Sequence, residues 1–258
     1  MKKELLDGEL GGQSEVAFQA NLYTDPNPTR RGLHLARRKW VETEAAAYAQ
    51  SGRLAVEVGV GCGIFVRFLR ECGFQVTAVD INQSFLDNVS EMDGVSVLNF
   101  DATNSLPIKP ADFILCTEVL EHVPSSRSQA MIDSLFGALK PGGTLLLTTP
   151  QKFSTVELMA RLFKFPALLW IARRIYGAAE ELGHINLLTR SGLVKQISKA
   201  GFEVWKAETF GMYLPVVAEF GGSGGWALLR WMDARFRRLP GLRGLLWTQA
   251  YVLRRPMG

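Results

Sequence analysis

The sequence predicts an α/β domain built on a doubly wound, largely parallel sheet. Seven short apolar runs recur with helical stretches between them, and the early runs are continuously apolar rather than alternating. A glycine-rich turn follows the first run. Alternating strand and helix is what βαβ crossovers require, and an all-apolar strand is what a sheet covered on both faces requires.

The strand-like runs are RLAVEV (53–58), QVTAVD (75–80), VSVLNF (95–100), DFILC (112–116), TLLLTT (144–149), FEVWKAE (202–208) and TQAYVL (248–253). Helices are expected over 31–50, 64–72, 83–91, 126–139 and 189–200. The last opens on Thr189 and Ser191, whose hydroxyls can cap free amides, and closes on Gly201, which tolerates the left-handed backbone of a helix end. Two stretches exceed the repeating pattern and read as helical insertions, at about 153–187 after the fifth strand and 211–247 after the sixth. Residues 1–30 read as a flexible polar tail ahead of one domain over 31–258. The opening MKKELLDGELGGQSE has lysines but no apolar run behind them, so no secretory signal is expected there.

A length of 258 residues with 47% hydrophobic composition supports one sizeable core and excludes a disordered or fibrous chain. Cys62, Cys72 and Cys116 are odd in number and form no CxxC pair, which argues against a disulfide framework or structural zinc and fits a reducing, cytoplasmic compartment. The longest uncharged apolar run, FPALLWIA at 165–172, falls far short of the roughly 20 residues that span a bilayer. The net charge of +4 conceals an asymmetry: residues 1–150 carry 13 Lys/Arg against 18 Asp/Glu, whereas 151–258 carry 16 against 7.

The first strand runs into VEVGVGCG, an E-x-G-x-G-x-G array of Glu57, Gly59, Gly61 and Gly63 at a strand-to-helix turn. Such glycines permit close backbone approach to a ligand, and the helix behind them aims its amides at an anionic group. A nucleotide-type cofactor is expected. The dinucleotide spacing G-x-G-x-x-G is absent, because the third position falls on Ile64 or Val66. Asp80 closes the second strand about 20 residues on, where a carboxylate can accept both hydroxyls of a ribose. Asp101, closing the third, can accept from an adenine amino group. Together with their neighbours Ile81 and Ala102, these residues describe the parts of one adenosyl ligand at the C-terminal edge of the sheet.

VEVGVGCG, VTAVDIN, NFDAT, FILCTEVLEHV and LKPGGTLLLTTP together resemble the class I S-adenosylmethionine-dependent methyltransferases, over about residues 35–210. The pattern is most similar to the ubiquinone-biosynthesis O-methyltransferases and the methyltransferase type 11 group. The resemblance implies a Rossmann-like seven-stranded sheet with an antiparallel last strand, S-adenosylmethionine as cofactor and S-adenosylhomocysteine as product. It also implies cofactor contacts at Arg38, Gly59, Asp80 and Thr117, with Arg38 on the methionine carboxylate. The acceptor implied is a hydroxyl of a small lipid-like or aromatic molecule; transfer to nitrogen or carbon, or a non-catalytic cofactor-binding subunit, stays compatible with the same residues.

In EVLEH, Glu118, Glu121 and His122 have i, i+3, i+4 spacing and would share one face of a helix, a donor set suited to a divalent ion. The resemblance associates magnesium with these positions. The alternative places Glu118 at the methionine end of the cofactor and leaves Glu121 and His122 to structural bonds. His184, in EELGHINLLT, matches a histidine of the subfamily and is a candidate general base, or equally a capping residue. His34 has no motif around it. Segments 153–177 and 224–239 combine Leu158, Leu162, Phe163, Trp170, Trp226, Leu229, Met232 and Phe236 with arginines, the composition of a lid over the acceptor or of a surface that lies on an anionic membrane. No nucleic-acid-binding module is recognisable.

Overall fold

The computed structural model describes residues 15–162 and 185–257. Seven strands form one sheet: β1 (Leu54–Val58), β2 (Gln75–Asp80), β3 (Val95–Asn99), β4 (Ala111–Thr117), β5 (Leu139–Pro150), β6 (Glu203–Phe210) and β7 (Thr248–Arg254). Their order is β3-β2-β1-β4-β5-β7-β6. β1 to β5 pair in parallel, while β7 runs antiparallel to β5 and β6. The seven expected strands and the antiparallel seventh are all present.

The period of two along each strand sends alternate residues to opposite faces. Ile114, Cys116, Leu145 and Leu147 are buried against α5 (Ser128–Gly137) and α7 (Arg190–Ala200) through Met131, Leu135, Leu193 and Ile197. Ala55, Phe113, Leu115 and Leu146 are buried on the other face against α2 (Pro28–Ala46) and α3 (Ile64–Glu71) through Trp40, Val41, Val66 and Leu69. The helix ends follow from local chemistry. The Thr189 hydroxyl accepts from the Gly192 amide at 3.1 Å, and Gly201 closes α7 at φ 98°. The short helix α4 (Gln83–Asp87) stops before the expected residue 91, because the Ser90 hydroxyl takes the Asp87 carbonyl at 3.1 Å.

The expected tail over 1–30 departs from the structure from residue 15 onward. A helix, α1, covers 15–21, and α2 begins at Pro28 rather than at 31. The missed signal is Asn27-Pro28: the Asn27 side chain accepts from the amides of Thr29 and Arg30 at 2.9 and 3.2 Å, and proline is preset for the first helical position. Of the first insertion only 153–162, with α6 (Thr155–Leu162), and 185–187 are described. The second folds as α8 (Pro215–Phe220) and α9 (Gly222–Phe236), capping α2 through Leu33, Ala218, Leu229 and Leu246. Gly32 allows this approach, since a Cβ there would overlap the Trp226 ring. Among the described residues no helix is long and apolar enough to cross a membrane.

Candidate cofactor site

β1 lies between β2 and β4, and the chain leaves the sheet to opposite sides at their C-terminal ends, which opens a crevice there. The turn from β1 into α3 lines it. Gly59 and Gly61 hold φ values of 83° and 53°, and a Cβ at either would collide with the side chains of Val119 or Gln19. Gly63 closes the turn in the left-handed region and brings no side chain to cap α3. The loop is organised by Asp80, which accepts from the Val60 amide at 2.8 Å and the Asn82 amide at 2.9 Å. Burial pushes the Asp80 carboxyl up, and these amides oppose the shift. A carboxylate has more acceptor sites than these bonds use, so Asp80 retains capacity for a ribose.

A cavity of about 100 Å³ adjoins this loop, lined by Gly59, Asp80, Ile81, Asp101, Ala102, Val119, His122, Val123 and Met131. Its composition suits an adenosine, with carboxylates at one side and apolar side chains at the other. Ile81, a large apolar group beside Asp80, is 72% exposed and open to cover a flat ring. Asp101 accepts from the Thr103 hydroxyl and amide at 2.6 and 2.9 Å and pairs with Arg127 at 2.9 Å. The Thr103 hydroxyl above all, then the Thr103 amide and Arg127, hold its carboxyl low, so it is ionised and accepting at neutral pH.

Glu57 is 1% exposed, and neither carboxyl oxygen has a hydrogen-bond partner among the described residues. Burial first, and the nearby Asp80 carboxylate second, push it well above the ordinary carboxyl range. An orphaned carboxyl beneath the glycine loop fits a ligand rich in hydrogen-bond donors, as the aminoacyl end of S-adenosylmethionine is.

The other wall of the crevice is a buried ion pair. Arg37 is 9% exposed and its Nη1 lies 2.9 Å from Glu118 Oε2; the Thr148 hydroxyl donates to Glu118 Oε1 at 2.9 Å. Glu118 is the only described non-glycine residue at positive φ, 54°, which turns its side chain out of β4 toward α2. Thr117, the last residue of β4, pairs in register with Thr148. Arg37 Nε is buried and has no partner among the described residues, an unmet donor beside the ion pair.

The structure sets Arg37, not Arg38, at this wall. Arg38 lies one position round the helix and pairs with Glu42 at 2.6 Å, at the partly exposed side. The helical period held the answer: Thr29, Gly32, Leu33, Arg37, Trp40 and Val41 form the buried face of α2. The helical face expected from EVLEH does not form. Because Glu118 directly follows a strand and only Leu120–His122 form a short 3-10 turn, the three side chains share no helical face. Glu118 reaches Arg37, buried Glu121 accepts from the Thr149 hydroxyl at 3.1 Å, and His122 lines the cavity. Burial and then Glu118 hold the Glu121 carboxyl well above its ordinary range. Among the described residues no cluster of three or more His, Cys, Asp or Glu is placed to hold a metal ion. His184 lies outside the described residues. Tyr23, His34 and Arg127 carried no sequence motif, while Thr148 lies within LKPGGTLLLTTP with nothing to single it out.

Fold and site together define a class I S-adenosylmethionine-dependent methyltransferase. The chain belongs to the methyltransferase-domain family, whose match spans residues 31–207. The ubiquinone biosynthesis O-methyltransferase of Methylococcus capsulatus is 24% identical over 218 residues, 82% of this chain and 88% of that protein. The protein of the same name from Xanthomonas axonopodis pv. citri is 31% identical over 147 residues, 53% of this chain and 61% of its own length. Among solved structures, the N-methyltransferase NodS of Bradyrhizobium japonicum in complex with S-adenosyl-l-homocysteine superposes with a TM-score of 0.59 at 13% identity, covering 97% of this chain and 99% of NodS. At that identity the likeness is one of fold.

Titration calorimetry with S-adenosylhomocysteine separates the two arginines. Arg37→Gln is expected to weaken binding by about 1.5–3 kcal/mol, as is Asp80→Ala, since each removes charge-assisted hydrogen bonds. Arg38→Gln is expected to leave affinity within about twofold, its surface pair with Glu42 being worth well under 1 kcal/mol. Equal losses at positions 37 and 38 would contradict the placement.

Proposed function

We propose that this methyltransferase acts on a hydroxyl of a small lipid-like or aromatic acceptor. The observation that carries the reading is the likeness to a ubiquinone biosynthesis O-methyltransferase along 82% of the chain. S-Adenosylmethionine, when bound, supplies a methyl group already activated on a sulfonium. The protein's work is then mostly alignment, worth up to roughly 7–11 kcal/mol in favourable cases. In this reading Asp80 and Asp101 hold the adenosine, Arg37 and Glu118 hold the aminoacyl end, and the acceptor approaches from the side of α2 and the insertions.

His184 is the proposed general base. The residues that follow it support the assignment: the amides of Ile185 and Asn186 both donate to the Glu121 carbonyl at 3.0 Å, pinning the chain beside the site. Mass spectrometry of the protein incubated with S-adenosylmethionine and a panel of prenylated phenols, catechols and amines tests both statements. A gain of one methylene mass on a phenolic oxygen is expected, and His184→Ala should slow it by about 10²–10⁴-fold with S-adenosylhomocysteine affinity unchanged. Methylation confined to amines would move the acceptor class, and a loss under about threefold would remove His184 from the chemistry.

We further propose peripheral contact with an anionic membrane through α8 and α9. Val216, Phe220, Leu228 and Trp231 are exposed, as are Arg230, Arg235 and Arg238, and Arg235 lies over the Trp231 ring at 5.4 Å. Asp233, the acidic residue of α9, is turned inward to the Gly211 amide at 2.7 Å. Exposed aromatic and aliphatic groups ringed by arginine suit the headgroup region, each arginine contributing about 1 kcal/mol near an anionic surface. Cosedimentation should show binding to phosphatidylglycerol vesicles but not to phosphatidylcholine, weakened by salt and by Trp231→Ala. Equal recovery from both lipids, or from neither, would sink this surface.

A further inference from the structure

We propose that His34 is a positioning residue for the cofactor: its Nδ1 fixes the Arg37 guanidinium so that the free donors of Arg37 face the aminoacyl end of the site. The argument begins with bonding capacity. Arg37 Nη2 lies 3.2 Å from His34 Nδ1. A guanidinium only donates, so Nδ1 must be the acceptor and the ring proton must reside on Nε2. Burial, and then the Arg37 charge, push the His34 pKa down to about 3, which agrees with a neutral ring. With Nδ1 engaged and Nε2 protonated, the ring has no site to take a proton from an acceptor hydroxyl. Its action is therefore on Arg37.

The ring is itself held. Tyr23 meets it edge-on with ring centroids 6.1 Å apart, and Trp247 does so from another side at 5.9 Å and 86°. Trp247 is anchored by its own backbone, its amide donating to the Gly211 carbonyl at 2.8 Å and its carbonyl accepting from the Gln151 amide at 2.7 Å. Tyr23 also lies close enough to Arg37 to interact with it electrostatically. The guanidinium is thus held at both Nη atoms, by Glu118 and His34, and Nε stays unpartnered among the described residues. A side chain with four rotatable bonds would otherwise lose much of its rotamer freedom on binding a carboxylate. His34 and its aromatic clamp remove that cost in advance, and they tie the segment before α2 and the end of the second insertion to the cofactor.

This proposal rests on the cofactor site and is independent of the acceptor chemistry, so it is tested by S-adenosylhomocysteine binding without turnover. The two amide substitutions decide which ring nitrogen matters, since Asn places its polar atoms near Nδ1 and Gln near Nε2. His34→Leu and His34→Gln are expected to weaken binding by about tenfold or more, the scale of a hydrogen bond to a charged group, while His34→Asn stays within about threefold of wild type. In an Arg37→Gln background, His34→Leu should cause less than about twofold further loss, because a residue acting through Arg37 is not additive with its removal. Thermal melting of each apo variant reports whether it folds, and if His34→Leu does not, the Asn and Gln pair still decides. Wild-type affinity in His34→Leu, equal affinities for Asn and Gln, or full additivity with Arg37→Gln would each overturn the proposal. A wild-type protein that binds no S-adenosylhomocysteine would remove the cofactor site itself and the proposal with it.

Discussion

The order of the sheet is the constraint from which the site follows. β1 sits in the middle with β2 and β3 to one side and β4 onward to the other, so the connections leaving β1 and β4 cross opposite faces and part at their C-terminal ends. The groups the sheet contributes to the cofactor site stand at that parting: the glycine turn after β1, Asp80 at the end of β2, the Asp101 loop after β3 and Glu118 just after β4, with Arg37 added from α2. The two apolar cores on either face hold the strands in register, and the hydrogen bonds from Asp80 to the turn convert that register into a shaped loop. Few of these residues need to react, because transfer from a sulfonium asks for alignment more than for proton chemistry.

Stability is given up locally for this arrangement. Glu57 is buried without a hydrogen-bond partner among the described residues, and Glu118 adopts a backbone conformation that side chains disfavour. Burial of the Arg37–Glu118 pair is defensible only because further bonds accompany it, from Thr148 and His34. Glu57, Arg37 and Glu118 bring these departures together at one crevice, while Trp40 Nε1 and Trp247 Nε1 are buried without a partner elsewhere. An unpaired buried carboxyl beside a crevice is expected where a ligand completes the polar network.

The strands and the glycine array were legible because their signals are local and periodic. Asp80 and Asp101 were legible because each closes a strand. What escaped depended on which way a helix faces or where a strand stops. Arg37 and Arg38 are adjacent in the sequence, and only the phase of the buried face of α2 separates the cofactor wall from the surface pair with Glu42. EVLEH reads as a helical face, but Glu118 stands at positive φ just after β4 and only Leu120–His122 form a short turn, so no helix carries the three. The stretch before α2 reads as tail because its residues are polar; Glu15, Tyr23 and Asp25 find partners only in the folded chain, at Asn82, Arg37 and Arg30. His34 had no motif at all, since its role is set by the three side chains that surround it.

The central claim is that one crevice, bounded by Asp80 and Asp101 on one wall and by Arg37 and Glu118 on the other, holds the whole cofactor. A crystal structure with S-adenosylhomocysteine tests it most directly. The account predicts ribose hydroxyls on Asp80, adenine in the cavity beside Ile81 and Ala102, and the carboxylate on Arg37 with His34 Nδ1 still engaged. A ribose away from Asp80, or a carboxylate held by Arg38, would contradict it.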